Sequence, residues 1–168
     1  AGYVSAIRLA QLGKKVTVID RAELGGVCLN RGCIPSKALI YAGGLYEKLS
    51  HAEEIGIEVK GAKVNMPKLI AWKETVVKKL TGGVGGLLKA NGCTVLAGDA
   101  KFTGPKSLEL KTSDGKTTTV NFQQCVIATG SRPAALPIPG LAVDNKNILD
   151  STGALQQQSV PATLLCVG

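Results

Sequence analysis

Cys28 and Cys33 stand five positions apart in the stretch GGVCLNRGCIPSK, residues 25–37. Two thiols so close can exchange with a disulfide, hold a soft metal, or lie inert as small buried hydrophobes. In a regular helix, Cα atoms five residues apart are about 8–9 Å from each other, whereas a disulfide needs roughly 4.4–6.8 Å. The pair can bridge only where the winding is irregular, which Gly32 permits. Pro35 suits the first turn of a following helix, so Cys33 falls near a helix N-terminus. Open N–H groups and the helix macrodipole favour a thiolate there. A zinc site would need two further ligands, and the only histidine, His51, lies in a polar helical stretch without a Cys pair beside it. No metal site is expected.

A second group with chemical potential lies upstream. Gly2 opens a stretch in which Val4, Ile7 and Ala10 recur at helical spacing, with Gly13 as its stop. KKVTVID follows as a short strand ending on Asp20. A dinucleotide-binding βαβ unit needs a glycine turn, a helix N-terminus facing the pyrophosphate, and a carboxylate ending the second strand. The 18 positions from Gly2 to Asp20 suit Gly2 as the last glycine of G-x-G-x-x-G. Asp20 would then accept hydrogen bonds from a ribose diol.

The elements that must position these residues alternate. After the cysteine pair, SKALIYAGGLYEKLSHAEEIG predicts a helix with a softer middle at Gly43 and Gly44. Asn65 caps a second long helix, with Pro67 in its first turn and Leu69, Trp72, Val76 and Leu80 towards the core. The glycine-rich LTGGVGGLLKANG leaves the continuation of that helix open. CTVLAGDAKF, SLELKT, TTTVNF and CVIATGS read as strands, with SDGK as a hairpin turn. RPAALPIPGLAVD is a connector, and VPATLLCVG starts a new buried strand. The pattern is an α/β layered domain with an antiparallel insertion.

Composition narrows the function classes. With 168 residues the chain can bury a substantial core, and no apolar run approaches the roughly 18 residues of a membrane helix. Aromatic residues are only 4 % while glycines number 21, a balance that favours tight βα turns over base-stacking surfaces. The net charge of +8 could serve a polyanionic partner. Without a dense Lys/Arg block interleaved with aromatics, it reads instead as solvated faces, Lys73, Lys78 and Lys79 on a helix among them. Neither nucleic-acid nor membrane binding is expected. Five cysteines, an odd number, argue against a secreted disulfide scaffold, and Cys93, Cys125 and Cys166 lie in or beside apolar stretches as small buried hydrophobes. The chain starts inside a helix pattern and finishes on a strand that has just reached glycine, so it reads as a piece of a longer protein.

GGVCLNRGCIPSKAL resembles the redox-active disulfide motif of the flavin-dependent pyridine nucleotide–disulfide oxidoreductases. AGYVSAIRLAQLG, WKETVVKKLTGGV, CVIATGSRP and ILDSTGAL agree with the same family along the whole chain. Its Ile-Pro-Ser-Lys is most similar to the branch acting on dihydrolipoyl groups; glutathione- and mercuric-reductase-like branches, and a non-catalytic FAD-binding module, are the alternatives. The resemblance implies a Rossmann-like FAD-binding domain over 1–131, with a central parallel sheet and an antiparallel meander at about 94–122. A connector over 132–160 and the first strand of an NAD-binding domain over 161–168 would follow, Gly168 standing where that domain's glycine motif opens.

It further implies Cys28 as the thiol that exchanges with substrate, Cys33 as the thiol against the flavin, and Lys37 as the cation near flavin N5. FAD contacts would come from Gly2, Asp20, Arg21, Gly25, Gly26, Val27, Cys28, Lys37, Gly98, Ala100, Thr129, Gly130 and Ser131. Asp20 stands where the family usually has Glu. NAD as acceptor, a homodimer, a lipoyl-bearing acyltransferase of 2-oxo acid dehydrogenase complexes as partner, and a cytoplasmic or mitochondrial-matrix location complete the expectation. The histidine base that the family supplies from the partner subunit has no counterpart here, since His51 stands elsewhere.

Overall fold

The computed structural model describes residues 1–135 and 137–167, and Gly168 lies outside them. The chain divides into two compact units, residues 1–27 with 79–131 and residues 28–78 with 132–168.

In the first unit, α1 (Gly2–Gln11) leads into β1 (Thr17–Asp20), and β2 (Thr94–Ala97) lies parallel beside β1 with Asp20 opposite Ala97. Gly13, at φ +77°, turns the chain out of α1 as expected. A three-stranded antiparallel meander follows: β3 (Asp99–Gly104), β4 (Ser107–Lys111) and β5 (Thr117–Asn121). Alternation places Leu108 and Leu110 of β4 in the core and Glu109 outside. SDGK makes the expected hairpin: Gly115 takes φ +82°, and Asp114 accepts the Lys116 N–H and pairs with its ammonium at 2.8 Å. CTVLAGDAKF is two strands in different sheets, not one, because the chain breaks at Gly98. That residue has φ +153°, and its N–H is committed to the Asp20 carbonyl at 3.0 Å.

In the second unit, α2 (Gly26–Arg31) hands over at Gly32 to α3 (Cys33–Ser50), which runs unbroken through Gly43 and Gly44 and ends in a short 3₁₀ turn at Ala52–Ile55. α4 (Met66–Ala90) starts there and continues into the first unit. Its first turn is as expected, the Asn65 side chain accepting the Lys68 N–H at 3.1 Å. The face it buries is offset by one residue from the expected one. Ile70, Lys73 and Val77 are buried, whereas Trp72 and Leu80 are about two-fifths exposed at 42 % and 40 %. Trp72 instead stacks at a tilt on Tyr41 of α3, ring centroids 6.3 Å apart. The glycine-rich continuation stays helical: each glycine costs about 1 kcal/mol, and burying Val84 and Leu88 returns about 1.5–3 kcal/mol apiece.

Two expected strands do not form. Residues 123–131 and 160–167 carry no strand, having no ladder partner among the described residues. Leu164 and Leu165 are exposed, and so are Cys125 and Cys166, which sequence reasoning had placed in the interior. Cys93 is buried, its thiol facing the Ala6 carbonyl at 3.7 Å. A one-turn helix, α5 (Ser151–Ala154), closes the ordered elements.

Candidate active site

The nucleotide-type residues belong to the first unit. Gly2 is the first residue of α1, and a Cβ on it would stand 3.2 Å from the Cβ of Ala128. The segment leading into Thr129, Gly130 and Ser131 therefore passes close to the opening turn of α1. Ala1 contributes no side-chain cap, the first turn holds no acidic residue, and the earliest intrahelical bond is from Ser5 N–H to the Ala1 carbonyl. The leading N–H groups have no acceptor within the helix itself.

Asp20 ends β1, where its Oδ1 accepts the Ala22 N–H at 2.9 Å. This fixes the carboxylate at the sheet end. Gly98 meets Asp20 across the sheet, and a Cβ there would come 2.4 Å from the Lys111 carbonyl oxygen. Ala100 lies two residues on, opposite Leu110. Arg21 reaches Asp99 at 3.8 Å, a pairing the sequence analysis missed although Asp99 directly follows Gly98. Gly25 and Gly26 take φ +110° and +71°, turning the chain towards the half-exposed Val27.

The thiols belong to the second unit. A helix running straight from α2 into α3 would hold Cys28 and Cys33 too far apart. Gly32, at φ −142° and ψ −112°, interrupts it. Its carbonyl accepts both the Ser36 N–H at 3.1 Å and the Ser36 hydroxyl at 2.7 Å, and Pro35 is fully buried in the first turn. Cys33 is consequently the first residue of α3, as its spacing before Pro35 implied. Both cysteines are exposed free thiols, and Cys33 is the neighbour that acts most strongly on the Cys28 thiol. The Cys33 side chain pushes the Cys28 thiol pKa up, joined by slight desolvation, while the Cys33 backbone N–H and the Lys37 ammonium pull it down.

His51 is occupied by Glu54 at 3.0 Å on the surface. Among the described residues no group of three His, Cys, Asp or Glu is placed to hold a metal ion, and no helix is long and apolar enough to cross a membrane.

A parallel strand pair with a carboxylate at its end and an accessible pair of thiols at the start of a helix occur together in this α/β chain. The sequence model of the pyridine nucleotide-disulphide oxidoreductases matches residues 1–168, and the chain belongs to that family. It is 48 % identical over 167 residues to dihydrolipoyl dehydrogenase of Geobacillus stearothermophilus, covering 99 % of this chain and 35 % of that protein. To dihydrolipoyl dehydrogenase 1, mitochondrial, of Arabidopsis thaliana it is 43 % identical over 169 residues, covering 99 % and 33 %. Among solved structures, LpdA from Mycobacterium tuberculosis matches with a TM-score of 0.80 at 25 % identity, over 95 % of this chain and 35 % of that one. The chain spans about a third of the length of the curated relatives it matches.

Proposed function

We propose that this chain is the FAD-binding, dithiol-bearing part of an enzyme that oxidises dihydrolipoyl groups to the lipoyl disulfide, with NAD as final acceptor. The observation that carries the proposal is the pairing of Cys28 with Cys33 at the start of α3, in a chain 48 % identical to a dihydrolipoyl dehydrogenase.

The residues present suit a dinucleotide. The open N–H groups behind Gly2 would receive the pyrophosphate, and Asp20 the ribose hydroxyls. Gly98 and Ala100, with Arg21 beside them, would line the adenine end. The backbone at Gly25, Gly26, Val27, Thr129, Gly130 and Ser131 offers close approach without large side chains. Bound FAD would supply a two-electron acceptor beside the dithiol and the means of passing hydride to NAD.

The protein's own steps involve sulfur and protons. One substrate thiolate attacks Cys28 Sγ of the oxidised pair, breaking the S–S bond and freeing the Cys33 sulfur. The second substrate thiolate then displaces Cys28, so the substrate leaves as its disulfide and the chain keeps two electrons as the Cys28–Cys33 dithiol. Cys28, whose raised pKa favours S–H, takes up a proton on leaving. Lys37, one turn after Cys33, supplies positive charge where negative charge accumulates.

The partners proposed with this chemistry are a lipoyl-bearing acyltransferase of a 2-oxo acid dehydrogenase complex and a second copy of the protein. The compartment would be that of the relatives, the cytoplasm in a bacterium or the mitochondrial matrix in a eukaryote.

The test is anaerobic titration of the full-length protein with dihydrolipoamide. A yellow protein that takes up two electrons and develops a long-wavelength absorption band, abolished in Cys33→Ala, is the expected result. A colourless protein, or an unchanged spectrum, overturns the reading.

A further inference from the structure

Among the described residues one ammonium group is buried, and its printed partners include neither the thiols nor the nucleotide-type residues. Lys73 of α4 is 0 % exposed. Its Nζ donates to the Leu155 carbonyl at 2.7 Å and lies 2.9 Å from Glu74 Oε1. The same carboxylate oxygen accepts the Gln156 side-chain amide at 3.0 Å. Two consecutive residues of one helix thus grip two consecutive residues 82 positions away in the chain.

What they grip is the end of α5. Leu155 is its C-cap, so the Lys73 cation meets a carbonyl at the end of the helix, where acceptors are left open. A helix of four residues is far below the roughly 12 needed for even marginal stability alone, so its ends must be held from outside its own backbone ladder. At the other end Asp150 Oδ1 accepts the Gly153 N–H at 2.8 Å. Upstream, Asp144 Oδ1 accepts the N–H groups of Lys146, Asn147 and Ile148 at 2.8, 2.9 and 2.9 Å. The Asn145 side chain closes over Gly153, where an added Cβ would be 2.3 Å from its Oδ1. Residues 144–156 therefore carry their own bracing and meet α4 through the Lys73–Glu74 grip.

We propose that residues 144–156 are a preformed strap, clamped onto α4 by the buried Lys73 ammonium, which opens as one piece when the clamp is released. A leucine at position 73 could fill the space but would leave the Leu155 carbonyl without its partner. A lysine both satisfies that carbonyl and makes the closed state conditional on its charge being matched by Glu74. In the open state the ammonium is hydrated, while the bonds inside the strap stay intact. This inference is independent of the proposed catalytic role.

The experiment is lysine acetylation of the full-length protein with acetic anhydride, read residue by residue, with exposed Lys68 and Lys79 as references. Lys73 should react at least tenfold more slowly than Lys68. In the Glu74→Gln, Gln156→Ala variant its rate should rise at least tenfold, with Lys68 and Lys79 unchanged. Hydrogen exchange of the unaltered protein in graded denaturant supplies a measurement that needs no variant. The amides of Lys146, Asn147, Ile148 and Gly153 should converge on one opening, below that of the β4 amides. Lys73 reacting like Lys68, or an unchanged rate in a folded variant, overturns the clamp. Separate openings for residues 146–148 and 153 overturn the strap.

Discussion

At Cys28 two opposing influences meet: the Cys33 side chain pushes its pKa up, while the Cys33 N–H and the Lys37 cation pull it down. They can be separated by substitution. Cys33→Ala removes the largest raising cause and leaves the backbone N–H in place, so the alkylation rate of Cys28 with iodoacetamide should reach its midpoint at lower pH than in the unaltered protein. Lys37→Met removes a lowering charge and should move the midpoint to higher pH. Quantifying the Cys28 peptide by mass spectrometry across a pH series checks both signs, and a shift in the same direction for the two variants would refute the account. The physical point is that two thiols five positions apart influence each other where Gly32 interrupts the helix between them.

The joints between elements show where a single atom decides the architecture. At Gly98 the chain leaves the parallel pair for the antiparallel meander, with a positive φ and a carbonyl 2.4 Å from where a Cβ would stand. Gly98→Ala should cost about 2–4 kcal/mol, combining backbone strain with overpacking. Gly13→Ala, also at positive φ but facing open space, should cost about 1 kcal/mol. Urea midpoints of the two variants measure the contrast, and equal losses would mean that φ alone matters. The grip of α4 on the strap carries its own pH signature. The Lys73 ammonium, then the Gln156 amide, hold the Glu74 carboxyl below its ordinary 4.5. The unfolded chain therefore takes up this proton at higher pH than the folded chain does. The stabilisation is complete above the ordinary value and lost as pH falls through the lower, folded one. Glu74→Gln should be less stable than the unaltered protein near neutral pH and approach it as pH falls through the lowered Glu74 pKa. A stability difference independent of pH would count against the pair.

For the molecule as a whole, thiol accessibility gives a direct check on how the cysteines are distributed. In the reduced chain Cys28, Cys33, Cys125 and Cys166 are exposed, and Cys93 is buried. Ellman's reagent should titrate those four quickly and the fifth only on denaturation; five fast thiols would contradict the buried position of Cys93. The chain as it stands should also show no steady-state oxidation of dihydrolipoamide by NAD. Its sole histidine is committed to Glu54 on the surface, and it spans about a third of its relatives' length. Sustained NADH production by the purified chain would disprove this.

Local sequence was enough wherever a few neighbouring residues decide the outcome. Gly13 as a helix stop, Asn65 as a cap, SDGK as a hairpin, and Cys33 at a helix start ahead of Pro35 all follow from backbone dihedrals and hydrogen bonds within a few positions. The family motif around the thiols was legible for the same reason, its chemistry being confined to thirteen consecutive residues. Tertiary structure alone decided which face of α4 is buried. Periodicity fixes the spacing of a helical stripe but not its phase when Trp72 and Ile70 compete for the interior. It also decided that, among the described residues, 125–131 and 160–167 form no strand, because a strand exists only where another strand accepts its bonds. Lys73 shows the difference most clearly. By residue type it belongs in water, and only a carbonyl 82 residues away makes its burial affordable.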